Sequence, residues 1–340
     1  MTLDPHQVTD YNTNRAVDNM FNRLVEFVDG GTDLRPGLAE RWVIEDGGLT
    51  YVFHLRRGVK FHDGEPFNAE AVEFSLLRQI DPNHPYHGTG EFAYAEYSFG
   101  MIDRVEVLDE YTVKITLNKQ FAPFLSHLAM QSGAIVSPVA VKKHGRDFSH
   151  NPVGTGPFRF QRWEPGVEVV LERNPDYWAE APVINRVIFR PVVEDQARVK
   201  ALEAGELSFI VNIPPDDLDR LQKDDRFTVM KQAGMHVWHV ILNCATEPFD
   251  DVRVRQAVNY AIDSRAIVDG LLRQTGVLAV SPLPPVVWGH TDQVRRYELN
   301  LDRARQLLAE ALPTRMRCLP CSSCPGSATT ATRTISCTPC

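Results

Sequence analysis

Short stretches of alternating polarity are interleaved with helix-forming stretches along most of this 340-residue chain, and this restricts it to mixed α/β folds. Residues 50–55 and 59–62 alternate apolar and polar side chains around a glycine-containing turn, which is typical of a β-meander. Asn68 follows as a helix N-cap, and apolar residues of segment 69–80 recur on one helical stripe. We therefore predict an α/β protein with mixed β-sheets.

Hydrophobic periodicity predicts elements in the rest of the chain as well. A hairpin is expected to turn at Asp109–Glu110. Short apolar runs predict buried strands in segments 133–138, 208–214 and 237–244. Helical periodicity predicts a helix that begins at residue 195 and ends at Gly205, and two amphipathic helices at 251–272 and 301–312. Cys244, at the end of a predicted strand, is expected to be a buried structural thiol.

Charge and hydropathy argue against two classes of function. The formal net charge is -8 and no block of Lys or Arg occurs, which disfavours nucleic-acid binding. No run of about 18 apolar residues occurs, so the sequence predicts no membrane span. The opening residues, MTLDPHQVTDY, lack the basic and apolar regions of a secretory signal. We therefore expect either a cytoplasmic chain or a true start upstream of Met1.

From about residue 313 the composition changes abruptly. This tail is poor in apolar residues and contains two C-x-x-C pairs, formed by Cys318, Cys321, Cys337 and Cys340. Their spacing is close to that of a zinc ribbon, but the apolar residues that would shape its knuckles are lacking. We therefore reject these cysteines as metal ligands and predict a disordered tail produced by a shift of reading frame, with a redox or disulfide role as the remaining alternative.

The sequence contains no recognisable catalytic motif. It has no nucleophile elbow, Walker A loop, dinucleotide-binding glycine pattern or H-E-x-x-H motif. His62 and Asp63 could suggest a metal-dependent hydrolase, but a turn glycine follows them and a turn aspartate explains Asp63 better. We predict no enzyme activity, no catalytic residue, no cofactor and no metal. Two alternatives stay open: a hydrolase using His62 and Asp63, and a zinc-binding interaction protein acting through the cysteine tail.

The order of several motifs resembles one known family. The motifs are TLDPH at residues 2–6, the long run from LVEFVDGG to AVEFSLLR at 24–78, NPVGTGPFRF at 151–160, RNPDYW at 173–178 and EPFDDVRVRQAVNYAID at 247–263. Together they resemble bacterial extracellular solute-binding proteins of family 5, the receptors of peptide, nickel and glutathione importers, and within that family the dipeptide-binding branch. The resemblance is collinear from about residue 2 to about residue 312.

The resemblance implies a periplasmic-binding-protein-like type II fold, an α/β two-lobe clamp with mixed β-sheets and an incomplete C-terminal lobe. Domain I would comprise residues 1–37 and 151–234, domain II 38–150, and domain III, a partial opposing lobe, 235–312, followed by the non-family tail at 313–340. Relatives carry a signal and a first strand before TLDPH, and the rest of the opposing lobe after the last helix. We therefore expect a chain that is truncated at both ends and impaired in binding.

The function implied by the resemblance is that of the substrate-binding component of an ABC importer. Such a protein binds oligopeptide-like ligands, with dipeptides favoured, between its two lobes and delivers them to the permease subunits in the membrane. The implied protein is a monomer that acts in the periplasm or as a cell-surface lipoprotein.

The resemblance also assigns site residues. Ligand-facing positions are expected in the loop before the first helix, in a turn, and on the strand that opens the opposing lobe: Asp10, Tyr11, Asn12, Gln131, Ser132, Gly133, Trp238 and His239. Because neighbouring residues of a strand point to opposite faces, Trp238 and His239 cannot both face one ligand, and we favour His239. Gly154, Thr155 and Gly156 are expected to be hinge or crossover residues, with the glycines adopting unusual backbone angles.

Overall fold

The computed structural model describes residues 2–232, 234–273 and 275–312. Its strands are β1 (Val25–Phe27), β2 (Leu34–Pro36), β3 (Ala39–Glu45), β4 (Thr50–Leu55), β5 (Ile102–Asp109), β6 (Thr112–Leu117), β7 (Phe158–Glu164), β8 (Glu168–Arg173) and β9 (Arg186–Phe189). Its α-helices are α1 (Tyr11–Val17), α2 (Ala69–Ile80), α3 (Ala95–Phe99), α4 (Phe124–Leu128), α5 (Pro138–His144), α6 (Asp195–Glu203), α7 (Pro215–Gln222), α8 (Val252–Ala261), α9 (Ser264–Ala266) and α10 (Leu301–Ala311).

The described residues divide into two compact units. The first comprises residues 2–232 together with Val286–Trp288, and the second comprises 234–273, 275–285 and 289–312. All the paired strands lie in the first unit, and α8, α9 and α10 lie in the second.

A four-stranded antiparallel sheet of order β3–β4–β6–β5 forms the centre of the first unit. The alternating sequence of β4 places Phe53 on its buried face, opposite Val113 of β6. Helix α2 packs against β5 and β6. It begins where the Asn68 side chain accepts a hydrogen bond from the Ala71 amide at 3.0 Å, and it buries Leu76. Each such large apolar side chain contributes about 1.5–3 kcal/mol through burial.

A three-stranded antiparallel sheet, β7–β8–β9, forms a second layer of the same unit. Its inner face carries Phe158 and Leu171, which pack in one apolar cluster with Val17 of α1 and with Val136. This cluster holds α1, the segment before α5 and the sheet together, and so fixes the segments that contain the predicted site residues of this unit.

Several predicted elements are confirmed. Helix α2 spans the predicted residues, and the hairpin of β5 and β6 turns between Asp109 and Thr112. The prediction of a second strand in the meander is wrong, since segment 59–62 makes only an isolated bridge from Lys60 to Pro66. Segment 133–138 is also too short for a strand, because Ser137 already caps α5, and only Ala134 makes a bridge there.

Two other predicted strands do not form. Segments 208–214 and 237–244 find no pairing strand in the described part of the chain, and without a partner an apolar run cannot satisfy its backbone groups as a sheet. Phe209 and Ile241 are accordingly exposed. Cys244 is exposed too, so the prediction of a buried thiol is wrong.

The helix predicted at 251–272 is divided. Helix α8 ends before Asp263, whose side chain accepts a hydrogen bond from the Ala266 amide at 2.9 Å and starts α9, and a π-helical turn follows at Ile267–Leu271. None of the described helices combines the length and the apolar composition that crossing a bilayer requires.

Candidate functional site

The predicted ligand-facing loop at residues 10–12 forms the beginning of α1. The Asp10 carboxylate accepts a hydrogen bond from the Thr13 amide at 2.9 Å. Partial burial acts to raise the pKa of Asp10, but hydrogen bonds from Thr13 outweigh it and hold the pKa below its usual value. Tyr11 and Asn12 are exposed, and the Arg15 guanidinium lies 4.5 Å from the centroid of the Tyr11 ring. Asp10 is thus the N-cap of α1, while Tyr11 and Asn12 present an aromatic and an amide group at the surface.

The glycines of the crossover segment lie against the backbone of the loop that follows α1. The Gly156 amide donates a hydrogen bond to the Met20 carbonyl at 2.9 Å. A Cβ atom would lie 2.2 Å from the Met20 carbonyl oxygen if placed on Gly154, and 2.5 Å from the Met20 carbonyl carbon if placed on Gly156. Both positions therefore need glycine for the close approach of two backbones. Unusual backbone angles are not the reason, because neither glycine has a positive φ.

Thr155, between the two glycines, belongs to a buried polar network centred on Asn22. The Thr155 hydroxyl and the Trp178 indole nitrogen each donate a hydrogen bond to Asn22 Oδ1, both at 3.1 Å. The Asn174 amide group donates to the Gly156 carbonyl at 3.0 Å. Asn22 was missed by sequence analysis. The RNPDYW motif is the sequence signal for this network, because it contributes Asn174 and Trp178.

The predicted turn at Gln131–Gly133 is a 3₁₀ turn, and most of it is buried. The Ser132 carbonyl accepts a hydrogen bond from the Gln79 side chain at 3.0 Å, and the Ser132 hydroxyl lies 3.3 Å from that of Ser98. A Cβ atom on Gly133 would lie 2.2 Å from the Leu128 carbonyl oxygen. Gln131 is the partly exposed residue of the three. Contact of this turn with a ligand stays a prediction.

Trp238 and His239 lie in the second unit, in an irregular segment. Trp238 is 96% exposed, and His239 is exposed as well. A ring nitrogen of His239 lies 2.9 Å from the Val237 carbonyl oxygen, where it acts as the donor. Because no strand forms here, the argument that the two side chains point to opposite faces does not apply. Both remain predicted contacts.

His62 and Asp63, the pair behind the hydrolase alternative, are occupied by structural hydrogen bonds. The Gly154 amide donates to His62 Nδ1 at 3.3 Å, and Nε2–H donates to the Gly156 carbonyl at 3.0 Å. Asp63 accepts hydrogen bonds from the Glu65 amide at 3.2 Å and from the Ser137 hydroxyl at 2.6 Å. The neutral imidazole has no lone pair left for a metal, so this geometry disfavours the hydrolase. The interpretation of Asp63 as a turn aspartate is confirmed.

The pKa of His62 is lowered to about 4, mainly by burial and to a smaller extent by the nearby Arg159. The hydrogen bond to the Gly156 carbonyl and the Asp63 carboxylate act in the opposite direction. His62 is therefore neutral near pH 7 and connects the turn after β4 to the crossover segment.

A buried ion pair joins the TLDPH motif to α2, and sequence analysis missed it. The side chains of Asp4 and Arg78 are almost completely buried and form a direct salt bridge. The Arg78 guanidinium lies 5.1 Å from the centroid of the Phe92 ring. His6 contacts the Ala134 carbonyl oxygen at 2.8 Å, and burial together with the charge of Arg78 lowers its pKa to about 3. In the sequence, Arg78 looks like an ordinary solvent-facing residue of an amphipathic helix, and no other feature of the sequence indicates that it is buried.

Metal binding finds no support in the part of the chain that the structure describes. Among residues 2–232, 234–273 and 275–312, no three or more His, Cys, Asp or Glu side chains form a group that could hold a metal ion. Cys318, Cys321, Cys337 and Cys340 lie outside the described residues. The segments assembled around α1 offer polar and aromatic groups for binding a solute.

A family model described as "Bacterial extracellular solute-binding proteins, family 5 Middle" matches residues 33–315. The chain belongs to this family. Its members are binding proteins, and one solved relative is described as a periplasmic binding protein associated with an ABC transporter. The predicted family membership is confirmed.

Two curated relatives show how far the similarity extends. Heme-binding protein A of Haemophilus influenzae is 37% identical over 318 residues, which cover 89% of this chain and 58% of the relative. The dipeptide-binding protein of Escherichia coli is 36% identical over 308 residues, covering 86% of this chain and 57% of the relative. The chain thus spans a little under three fifths of the length of these two proteins.

A solved structure identifies the fold class of this chain. DppA from Helicobacter pylori, in complex with the peptide STSA, is 33% identical and matches with a TM-score of 0.83 over 92% of this chain and 64% of that protein. The α/β fold of the periplasmic-binding-protein type II class, expected from the sequence, is confirmed by this match.

Proposed function

We propose that this chain is the substrate-binding component of an ABC importer and that its ligands are oligopeptide-like, with dipeptides favoured. The observation that carries the proposal is the 0.83 TM-score to a transporter-associated protein that holds a peptide. The dipeptide-binding protein of E. coli supports the same ligand class. In this proposal the protein binds and delivers its ligand unchanged, acts as a monomer outside the cytoplasm, and passes the ligand to permease subunits.

The residue-level part of the proposal keeps the predicted contacts. Tyr11 and Asn12 in the first unit and Trp238 and His239 in the second expose the kinds of groups that peptide ligands use: aromatic surface, an amide and a hydrogen-bonding ring. The domain boundaries proposed from the sequence, 1–37 with 151–234, 38–150 and 235–312, are retained with it.

Exchanging one tryptophan at a time tests the peptide site. We expect dipeptides to raise the melting temperature of the chain in a concentration-dependent way, as mass action requires. Trp238→Ala should weaken dipeptide binding by about tenfold or more, because truncated aromatic contacts are typical binding hot spots. Trp288→Ala is the matched control, since Trp288 is 82% exposed and is not a predicted contact. Isothermal titration with a dipeptide panel measures both variants.

Two results would contradict the proposal. One is equal loss of dipeptide affinity in the Trp238 and Trp288 variants, which would remove Trp238 from the site. The other is saturable binding of haem, the ligand in the name of the H. influenzae relative, without any response to dipeptides or tripeptides. Glutathione completes the panel as a modified tripeptide.

A further inference from the structure

The outer face of the β7–β8–β9 sheet carries arginines on both sides of central glutamates. In the strand register, Arg159 of β7 lies opposite Glu172 of β8, and Glu172 lies opposite Arg186 of β9. Glu168, four residues before Glu172 and on the same face, forms ion pairs with two other arginines, Arg162 and Arg190. The face therefore holds two Arg–Glu–Arg groups, in a chain whose formal net charge is -8.

The two groups differ in how far their charges are satisfied. Arg162 is hydrogen-bonded directly to Glu168, whose side chain is only 11% exposed. Arg159 and Arg186 instead lie 3.7 Å from Glu172 at their closest nitrogen–oxygen separation, which is beyond hydrogen-bonding range. Their side chains are about half exposed. The Glu172 group thus keeps guanidinium donors that its carboxylate does not use.

A shallow, solvent-open cleft of about 440 Å³ lies at the Glu172 group. It is lined by Arg159, Arg173, Arg186 and Glu172, together with Pro175 and Asn185. Arg173 lies opposite Phe158 in the strand register and so belongs to the inner face, which leaves two guanidinium groups and one carboxylate on the outer face, a net charge of +1.

We propose that this cleft binds a small oxyanion, a phosphate or carboxylate group held by Arg159 and Arg186 on the outer face of the sheet. The planar guanidinium fork matches the oxygen geometry of both groups and remains charged at any physiological pH. Glu172 opposes the anion electrostatically and sets the spacing of two of the arginines. The site is independent of the proposed peptide function and uses none of its predicted contacts.

Substitutions that each remove one charge, made in both Arg–Glu–Arg groups, provide the test. Isothermal titration of the full chain with inorganic phosphate, at constant ionic strength and against chloride, should show saturable binding. Arg186→Gln should weaken phosphate binding by about tenfold, the loss of one charge-assisted contact. Arg190→Gln is the control, because Arg190 lies on the same face at 3.6 Å from Glu168 but does not line the cleft. It should change the affinity less than twofold.

Substitution of the glutamates provides a second test, in which phosphate binding should become tighter. Such a gain is not expected if Glu172 has only a structural role. Glu172→Gln removes the opposing charge and should tighten phosphate binding several-fold, whereas Glu168→Gln should not. A parallel titration with succinate identifies the source of the oxyanion, since preference for phosphate or for succinate assigns the site to phosphate-bearing or carboxylate-bearing ligands. Equal weakening by Arg186→Gln and Arg190→Gln, no tightening by Glu172→Gln, or the absence of saturation would overturn the proposal.

Discussion

At the scale of single residues, His62 joins two distant segments of the chain through one side chain. Its two ring nitrogens bind the backbone on both sides of Thr155, so one neutral imidazole holds two segments that are about ninety residues apart in the chain. The sequence shows the His62–Asp63 pair and the turn that follows it, and so predicts the role of Asp63. It cannot show that the partners of His62 are Gly154 and Gly156, because that contact depends on the tertiary fold.

His62 should make stability depend on pH. Its pKa is about 4 in the folded chain and about 6.5 when unfolded, so between these values the unfolded state binds the extra proton. Stability is then fully present above pH 6.5 and is lost as pH falls towards 4. We expect His62→Gln to flatten this slope by less than about 1.4 kcal/mol per pH unit, because one group changes the number of bound protons by less than one between the unfolded and folded states.

Urea unfolding of both proteins between pH 8 and pH 4.5 measures this effect. The variant should keep a residual slope in the same direction, because His6 has a pKa of about 3 in the fold and also resists protonation. Identical slopes for the wild type and His62→Gln would show that His62 takes up its proton as readily in the folded chain as in the unfolded one.

At the scale of elements, the sequence predicts those parts whose pattern is satisfied locally. Helix α2 has its own cap in Asn68, and the β5–β6 hairpin pairs with itself, so both follow from periodicity and turn chemistry. Segments 208–214 and 237–244 have strand composition, but a strand exists only when a neighbour accepts its backbone hydrogen bonds. Which neighbour is present is not encoded within the segment itself.

The crossover segment offers a prediction at this scale. Gly156→Ala should lower the free energy of unfolding by about 2–3 kcal/mol, because the new Cβ would meet backbone atoms of Asn19 and Met20 that cannot move independently. Gly88→Ala is the matched control, since a Cβ there meets nothing within 4 Å and its φ is not positive. Its effect should stay within about 0.5 kcal/mol. Urea denaturation measures both, and equal effects would mean that the segment shifts freely.

At the scale of the whole molecule, the two units differ in the size of their apolar clusters. The first unit contains two large clusters, one around Phe53 and one around Phe21. In the described part of the second unit, the cluster consists of Ala257, Ala304 and Leu307 with two partly buried neighbours. Family membership and fold class could be predicted from collinear motifs, whereas this difference in packing could not, because it depends on which surfaces meet.

Amide hydrogen exchange should reveal the difference directly. We expect β4 to exchange at least about 100-fold more slowly than segment 237–242, because β4 is paired on both sides and the other segment is exposed and unpaired in the described chain. Mass-spectrometric exchange on the intact chain, with peptides from β6 as a reference for the sheet, measures both. Equal protection of the two segments would show that 237–242 pairs in solution.

The buried pair of Asp4 and Arg78 has a consequence for how the chain is made. During synthesis the amino-terminal residues leave the ribosome first, so Asp4 is already outside when Arg78 is added to the chain. The counter-ion of the α2 arginine has therefore been translated before the arginine itself. Phe148 and the Ala134 carbonyl, which close the same pocket around Arg78 and His6, emerge later and can complete the enclosure only when more than half of the first unit has been translated.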